Sequence, residues 1–178
     1  SSQSQQLNDA KPDVIFYFGS PNPAANLKKE LYKTNLANTP FIVSSVANDN
    51  NLFELAGKEV WEGTYSGAVF QNIDLVKDED EQVQLFVERF SSDYPNDPLS
   101  GFAQYGWGEA QIFVEALTRM GDDLSYENLQ QTLYTFNEWD GSIYEGVTLT
   151  EDNHFGITSM IMTQATNGEI LPISSSIS

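Results

Sequence analysis

The side chains able to do covalent or metal chemistry are few. His154 is the only histidine and cysteine is absent from the 178 residues. Thiolate catalysis, disulfides and the usual His/Cys zinc sets therefore have no material here. Without a partner of its own kind, His154 reads as a structural or surface residue. Carboxylates are plentiful, 26 against 8 Lys and Arg, so some pair will always look suggestive, and no hydrolase follows from them. The run Asp78 to Glu81 has the composition of a cation site, yet it suits a solvated first helical turn, where carboxylates favour the positive end of the dipole. No EF-hand spacing fits it or Asn48 to Asn51, and no G-x-S-x-G, P-loop or glycine-rich phosphate fingerprint occurs. What remains is binding chemistry, because hydroxyls, amides and strand-end backbone groups follow short apolar runs. Gly19, Ser20, Pro21 and Asn22 come after the first run. Ser44, Ser45, Asn48 and Asp49 come after the second, and Phe70, Gln71 and Asn72 after the third. In open α/β sheets ligands bind beyond the carboxyl ends of strands. The helix start at Asn22–Ala24 could also receive an anion or carbonyl group. The alternative is that Ser20 and Asn22 only cap and turn.

These residues depend on the elements that carry them. Val14 to Phe18 is an unbroken β-branched and aromatic run, expected to be a strand buried on both faces. Pro23 suits the first position of a helix capped by Asn22, with Ala24, Leu27 and Leu31 on one face. Phe41-Ile42-Val43 begins a second buried strand after Pro40, completing a βαβ unit whose crossover is right-handed. Leu52 to Ala56 is a short helix stopped at Gly57, and Gly63 to Phe70 a third strand. Residues 71–77 read as a connection and the best boundary between lobes. Beyond it, Val83, Phe86, Val87 and Phe90 mark one helical face, Ala110, Phe113, Val114 and Leu117 a second, and Leu129, Leu133 and Phe136 a third behind the cap Ser125. After Gly141 the pattern turns to short strands at Val147 to Leu149, Ile157 to Met162 and Ile170 to Ile173. This gives 1–72 as part of one α/β lobe, 73–145 as mainly helices of another, and 146–178 as returning strands and tail.

The formal charge of −18 argues against nucleic acid and anionic membrane surfaces as partners. No apolar run approaches the ~20 residues a membrane span needs. Ser1 to Gln6 carries neither the basic nor the apolar region of a signal peptide.

In this order the segments resemble the second half of type I periplasmic binding proteins, in the branch of the leucine/isoleucine/valine-binding proteins of ABC transporters. Lys11 to Gly19 is similar to the family's "aPDvvfl-G" strand, and Leu27 to Leu31 sits at its "lkqarelG" helix. Leu55-Ala56-Gly57 with Glu62-Gly63 matches its "lAG…aeGv" pair, and Asp80 to Tyr94 its "fv..y...yp" helix. Gly106 to Ala110 stands at "gYDA", and Thr148 to His154 at "v.Ftpd-H". The family's first half has no counterpart here.

The resemblance implies an α/β fold with parallel-sheet lobes, Rossmann-like three-layer αβα, present as a partial chain. It implies a solute-binding component of an ABC-type uptake system, periplasmic or extracellular and anchored through a missing N-terminus. Such a protein is not an enzyme and needs no cofactor. Its partners are a small polar ligand (an amino acid, amide or organic acid), a membrane permease and the missing N-terminal half. The expected ligand contacts are Ser20, Pro21, Asn22, Ser44, Ser45 and Asp49, joined by Tyr105 and by Trp107, which takes the place of the family's tyrosine. The alternative for these two aromatics is helix packing. Branched-chain amino acid binders hold the ligand's ammonium with an acid after the second of these strands. Ser45 stands there instead, with Asp49 the nearest acid, which leaves ligands without an ammonium open. The aromatic contact after the first strand falls on Ser20. Two other readings are the sensor domain of a membrane receptor and a small α/β hydrolase.

Overall fold

The computed structural model describes residues 2–70, 73 and 80–177. They fall into two compact units, one holding the residues up to 70 with Met160–Ile177, the other the described residues from Ile73 to Ser159.

In the first unit, helix α1 (Ser2–Ala10) leads into strand β1 (Ile15–Tyr17), helix α2 (Pro21–Tyr32) and strand β2 (Phe41–Val43). A 3-10 turn (Ser45–Ala47), helices α3 (Asn51–Ala56) and α4 (Lys58–Trp61) and strand β3 (Tyr65–Ala68) follow. Strands β4 (Ile161–Thr166) and β5 (Glu169–Pro172) complete a five-stranded sheet in the order β1-β2-β3-β4-β5. The first three strands are parallel and the last two antiparallel. α2 starts where Pro21 takes its first position behind Ser20, since proline loses nothing where the amide would be unpaired. Ala24, Ala25 and Leu31 face inward and pack with Phe41, Leu52 and Trp61 in the core. The rings of Phe41 and Trp61 meet edge-on at 6.3 Å, a preferred geometry for such pairs. Lys28 is buried within this layer, its Nζ 5.2 Å from the centroid of the Phe41 ring.

β1 departs from the expected strand buried on both faces. Ile15 is buried, whereas Phe16 is 74% and Phe18 96% exposed. The burial has period two because, among the described residues, helices of this unit cover one face and β1 has a partner strand on one side. The expected strand at Ile157 to Met162 begins later, at Ile161. Its end is set by Asn167 and Gly168, both at positive φ (57° and 86°), the backbone of a tight two-residue hairpin turn.

In the second unit, helices α5 (Glu81–Asp93), α6 (Gly101–Met120) and α7 (Tyr126–Leu133) are followed by an irregular segment. Asp80 caps α5, its Oδ1 accepting from the amides of Gln82 and Val83 at 2.8 and 3.1 Å. That is the solvated first turn expected there; Asp78 and Glu79 lie outside the described residues. Val83, Phe86 and Ile143 centre the apolar cluster, with Phe90 and Trp107 against it. The expected strand at Val147 to Leu149 is a single bridge from Val147 to Trp139. Arg119 holds this region, its guanidinium 4.1 Å from the Phe136 ring centroid and bonded to Glu115.

α6 is rotated from the orientation its apolar pattern suggests. Its buried positions are Gln104, Gly108, Ala116 and Met120, while Ala110, Phe113, Val114 and Leu117 are exposed. Polar and small residues dictate the rotation. Gln111 donates to Gln82 (2.7 Å) and accepts from the amide of Ile143 (3.0 Å). Gly108 lets Tyr144 lie against the helix, where a Cβ would come within 2.4 Å of its ring.

Two outcomes follow. Gly108→Ala overpacks the Tyr144 contact and lowers the urea midpoint by about 1–3 kcal/mol equivalent. Gly106→Ala on the same helix meets no atom within 4 Å, and raises it by roughly 0.5–1 kcal/mol through helix propensity. For Lys28, burial lowers the amine below its ordinary value of 10.5, so the folded state binds fewer protons than the unfolded one in the alkaline range. The destabilisation is full below the folded pKa and fades as pH rises to 10.5. Urea midpoints from neutral pH upward show the wild type gaining on Lys28→Met over that interval.

Candidate functional site

The candidate residues in the first unit stand together at the carboxyl ends of β1 and β2. The parallel register pairs Tyr17 with Val43, so both chains leave the sheet at one level. Ser44 ties them, since its amide donates to the carbonyl of Tyr17 (3.1 Å) and its hydroxyl to that of Gly19 (3.3 Å). The carbonyl of Ser44 in turn accepts from Ser66 Oγ of β3 at 3.4 Å. The Tyr17 hydroxyl donates to the Ser20 carbonyl at 3.3 Å, folding the Gly19–Ser20 turn over its own ring. A Cβ at Gly19 would sit 2.7 Å from that hydroxyl oxygen.

Ser20 precedes α2 with no side-chain cap bond. Both Ser20 and Asn22 are exposed. With Pro21 and Pro23 in the first turn, Asn22 supplies the one amide N–H among the first three helical positions, because proline has none. The helix start is therefore a poorer anion receptor than the Asn22–Ala24 reading implies. Ser45 opens the 3-10 turn, its carbonyl accepting from the amide of Asn48 at 3.1 Å. Asp49 Oδ1 accepts from the amide of Asn51 at 2.8 Å, so that carboxylate oxygen secures the start of α3. Asn48 Oδ1 accepts from Thr163 Oγ1 at 3.1 Å and anchors the turn to β4. Of the residues nominated after β3, Gln71 and Asn72 lie outside the described residues.

Tyr105 and Trp107 belong to the second unit, on α6. The Tyr105 carbonyl accepts from the Tyr144 hydroxyl at 3.4 Å. Burial first, and then the nearby Glu109 and Tyr105, raise the pKa of the Tyr144 phenol. Trp107 packs on Phe86 with ring centroids 5.6 Å apart. Its Nε1 and the Nε2 of Gln104, one helical turn earlier, are buried without a hydrogen-bond partner. Buried donors of this kind carry a desolvation penalty of about 1–3 kcal/mol each. Gln104 is a buried polar residue that sequence reasoning passed over; the signal was an amide three residues before Trp107 on the same helix. Ser66 and Thr163 were missed as well, and nothing in their local sequence marks them.

His154 stacks on Tyr134 at 5.7 Å, with Nε2 3.1 Å from the phenol oxygen, a packing role. Among the described residues no three His, Cys, Asp or Glu side chains gather as a metal site, and no helix is long and apolar enough to cross a membrane.

Comparison with known proteins bears on this arrangement. No curated protein matches the sequence. Among solved structures, a leucine binding protein from Thermotoga maritima superposes with TM-score 0.76 at 17% identity, covering 99% of this chain and 47% of that one. A fatty acid ABC transporter substrate-binding protein from Thermomonospora curvata gives 0.83 at 21%, covering 99% and 46%. A branched chain amino acid ABC transporter protein from Thermus thermophilus with bound valine gives 0.80 at 18%, covering 99% and 49%. The chain spans about half the length of these structures, and at such identities the likeness shows the fold, the α/β architecture of type I periplasmic binding proteins. The family described as periplasmic binding protein matches residues 1–169, nearly the whole sequence, and the chain belongs to that family.

Proposed function

We propose that this chain is part of an extracytoplasmic solute-binding component of an ABC-type uptake system, holding a small polar molecule between two lobes and presenting it to a membrane permease. The observation that carries this reading is the cluster at the tips of β1 and β2 in a chain of this family. Among the described residues the side chains of Ser20, Asn22 and Ser45 make no hydrogen bond to a neighbouring group, while Ser44 fixes the two loops that bear them. Pro21 sets the entry of α2. Trapping by hinge closure requires no covalent step. The protein works in the periplasm or outside the cell, anchored through a preceding segment, and acts with the remaining half of its polypeptide.

The ligand class follows from charge. Ser45 cannot neutralise an ammonium, and Asp49 already serves the Asn51 amide. The fitting ligands are uncharged at that end: an amide, a urea-like compound or an organic acid. Proteins that share this fold differ in what they take, since the Thermus structure holds valine and the Thermomonospora protein is described as a fatty acid ABC transporter substrate-binding protein.

Titration calorimetry of the full-length gene product against amino acids, amides and short organic acids tests this. A folded sample that binds none of them defeats the proposal. Ser45→Glu is expected to raise the affinity for free amino acids at least about tenfold, roughly 1.4 kcal/mol, and to weaken organic acids. Equal affinities in both proteins would remove Ser45 from the site.

A further inference from the structure

Beneath the strand tips the first unit closes over a small chamber. Ser66 of β3 stands beside Val43 of β2 and Thr163 of β4, so these three side chains share one face of the sheet. Thr64 comes two residues before Ser66, the spacing that returns a side chain to the same face. The turn at Ala47 and Asn48, with Trp61 and Ile170, covers that face. The chamber so enclosed leaves about 10 Å³ in which the centre of a water molecule can move. Its lining residues other than Asn48 are all buried. A space of this size holds one water and excludes any larger solute.

The polar groups around the chamber are out of balance at Thr64. Its backbone is satisfied, the amide donating to the Trp61 carbonyl at 3.2 Å and the carbonyl accepting from the Ala165 amide at 2.8 Å. Its hydroxyl oxygen is buried and makes no hydrogen bond. A hydroxyl offers one donor and two acceptor positions, and leaving them unmet away from water is costly. The other two polar side chains of the lining are complementary to it. Asn48 commits Oδ1 to Thr163 at 3.1 Å, which leaves the N–H groups of its amide to give. The hydroxyl proton of Ser66 points to a backbone carbonyl, that of Gly67 at 2.9 Å or of Ser44 at 3.4 Å, which leaves the oxygen's lone pairs to accept. A donor, an acceptor and a group that is both therefore surround one water-sized space. Buried water makes about three hydrogen bonds to groups of this kind.

We propose that this chamber is a binding site for a single water molecule, which accepts from Asn48 Nδ2 and Thr64 Oγ1 and donates to Ser66 Oγ, and that Thr64 acts through it as a positioning residue for the loop bearing Ser45 and Asp49. Ser44 holds the beginning of that loop through Tyr17, Gly19 and Ser66. Its end at Asn48 is tied to β4 through Thr163, and the water adds a tie to β3. Bridges of this sort are enthalpically close to direct hydrogen bonds. Asp49 and the start of α3 follow directly along the chain, so the water sets where they stand. It is held whether or not a solute occupies the strand tips.

The full-length gene product is crystallised, and its Thr64→Val and Thr64→Ser variants are compared with it by urea denaturation and amide hydrogen exchange. The expected electron density is one peak in the chamber, about 2.7–3.2 Å from Thr64 Oγ1, Asn48 Nδ2 and Ser66 Oγ. Valine keeps the shape of threonine without the hydroxyl, so the water loses a partner and the urea midpoint falls. The amides of Ala47 and Asn48, which donate to the carbonyls of Ser44 and Ser45, exchange at least about tenfold faster in Thr64→Val, beyond any change in α2. Thr64→Ser, which keeps the hydroxyl, leaves that local exchange near the wild-type rate. A dry chamber gives the opposite sign, because valine then deletes an unmet hydroxyl and the midpoint rises. Either that rise, or a chamber without density at a resolution that shows other buried waters, overturns the proposal. Exchange at Ala47 and Asn48 that changes no more than in α2 overturns the positioning role of Thr64. No solute is added in these measurements, so they can fail while the calorimetric test succeeds, and the reverse.

Discussion

The parallel register of β1, β2 and β3 is the constraint on which the candidate site depends. Tyr17 lies beside Val43, and Val43 beside Ser66, so three loops leave the sheet from one edge. Ser44 converts that register into a fixed arrangement. Its amide, hydroxyl and carbonyl each make a bond, to Tyr17, Gly19 and Ser66. Each is individually worth about 1 kcal/mol, but together they set the direction in which Ser20 and Ser45 start. A residue that spends all its polar groups in this way is a scaffold for its neighbours, which is why the binding reading leans on Ser20, Asn22 and Ser45 and less on Ser44 itself.

How much of this was readable in the residues depended on whether the signal was local. β2 and α2 follow from Pro40, Pro23 and the alternation of apolar positions around them, although α2 begins two residues before Pro23, with Pro21 in its first position and Ser20 instead of Asn22 ahead of it, and α3 ends at Gly57 with φ 96°, as a glycine stop should. The Asn167-Gly168 turn is an equally local signal, and it marks the end of β4 and the start of β5 more closely than the apolar run at Ile157 does. What the residues did not reveal is which apolar surfaces are covered. Val14 to Phe18 reads as buried on both faces and α6 as packing through Phe113 and Val114, because a hydrophobic pattern reports an appetite for burial and not the presence of a partner. In both places tertiary contacts decided otherwise, Gly108 against Tyr144 in one and a single covered sheet face in the other.

The site is only partly a matter of sequence pattern as well. Gly19, Ser20 and Asn22 can be picked out because they follow a strand. The bonds from Ser66 and Thr163 join positions 22 and 115 residues apart from their partners Ser44 and Asn48, and no window along the chain contains both ends. Asp49 carries a role that its residue type does not announce. Its charge nominates it as a ligand contact, and one of its oxygens, 2.8 Å from the Asn51 amide, also holds the start of α3. The two units differ in the same respect: in the first, polar groups at the strand tips are knitted together, whereas in the second Gln104 and Trp107 leave donors unmet in the interior.

The prolines at positions 21 and 23 have a consequence for selectivity. Tetrahedral oxyanions such as phosphate and sulfate are gripped by several converging amides, and a helix entrance with two imino residues among its opening three lacks that cradle. A guest arriving there would meet a lone N–H, enough for one planar carbonyl oxygen. Coupled to the strongly acidic chain around it, such an entrance would disfavour multiply charged anions before any side chain is consulted.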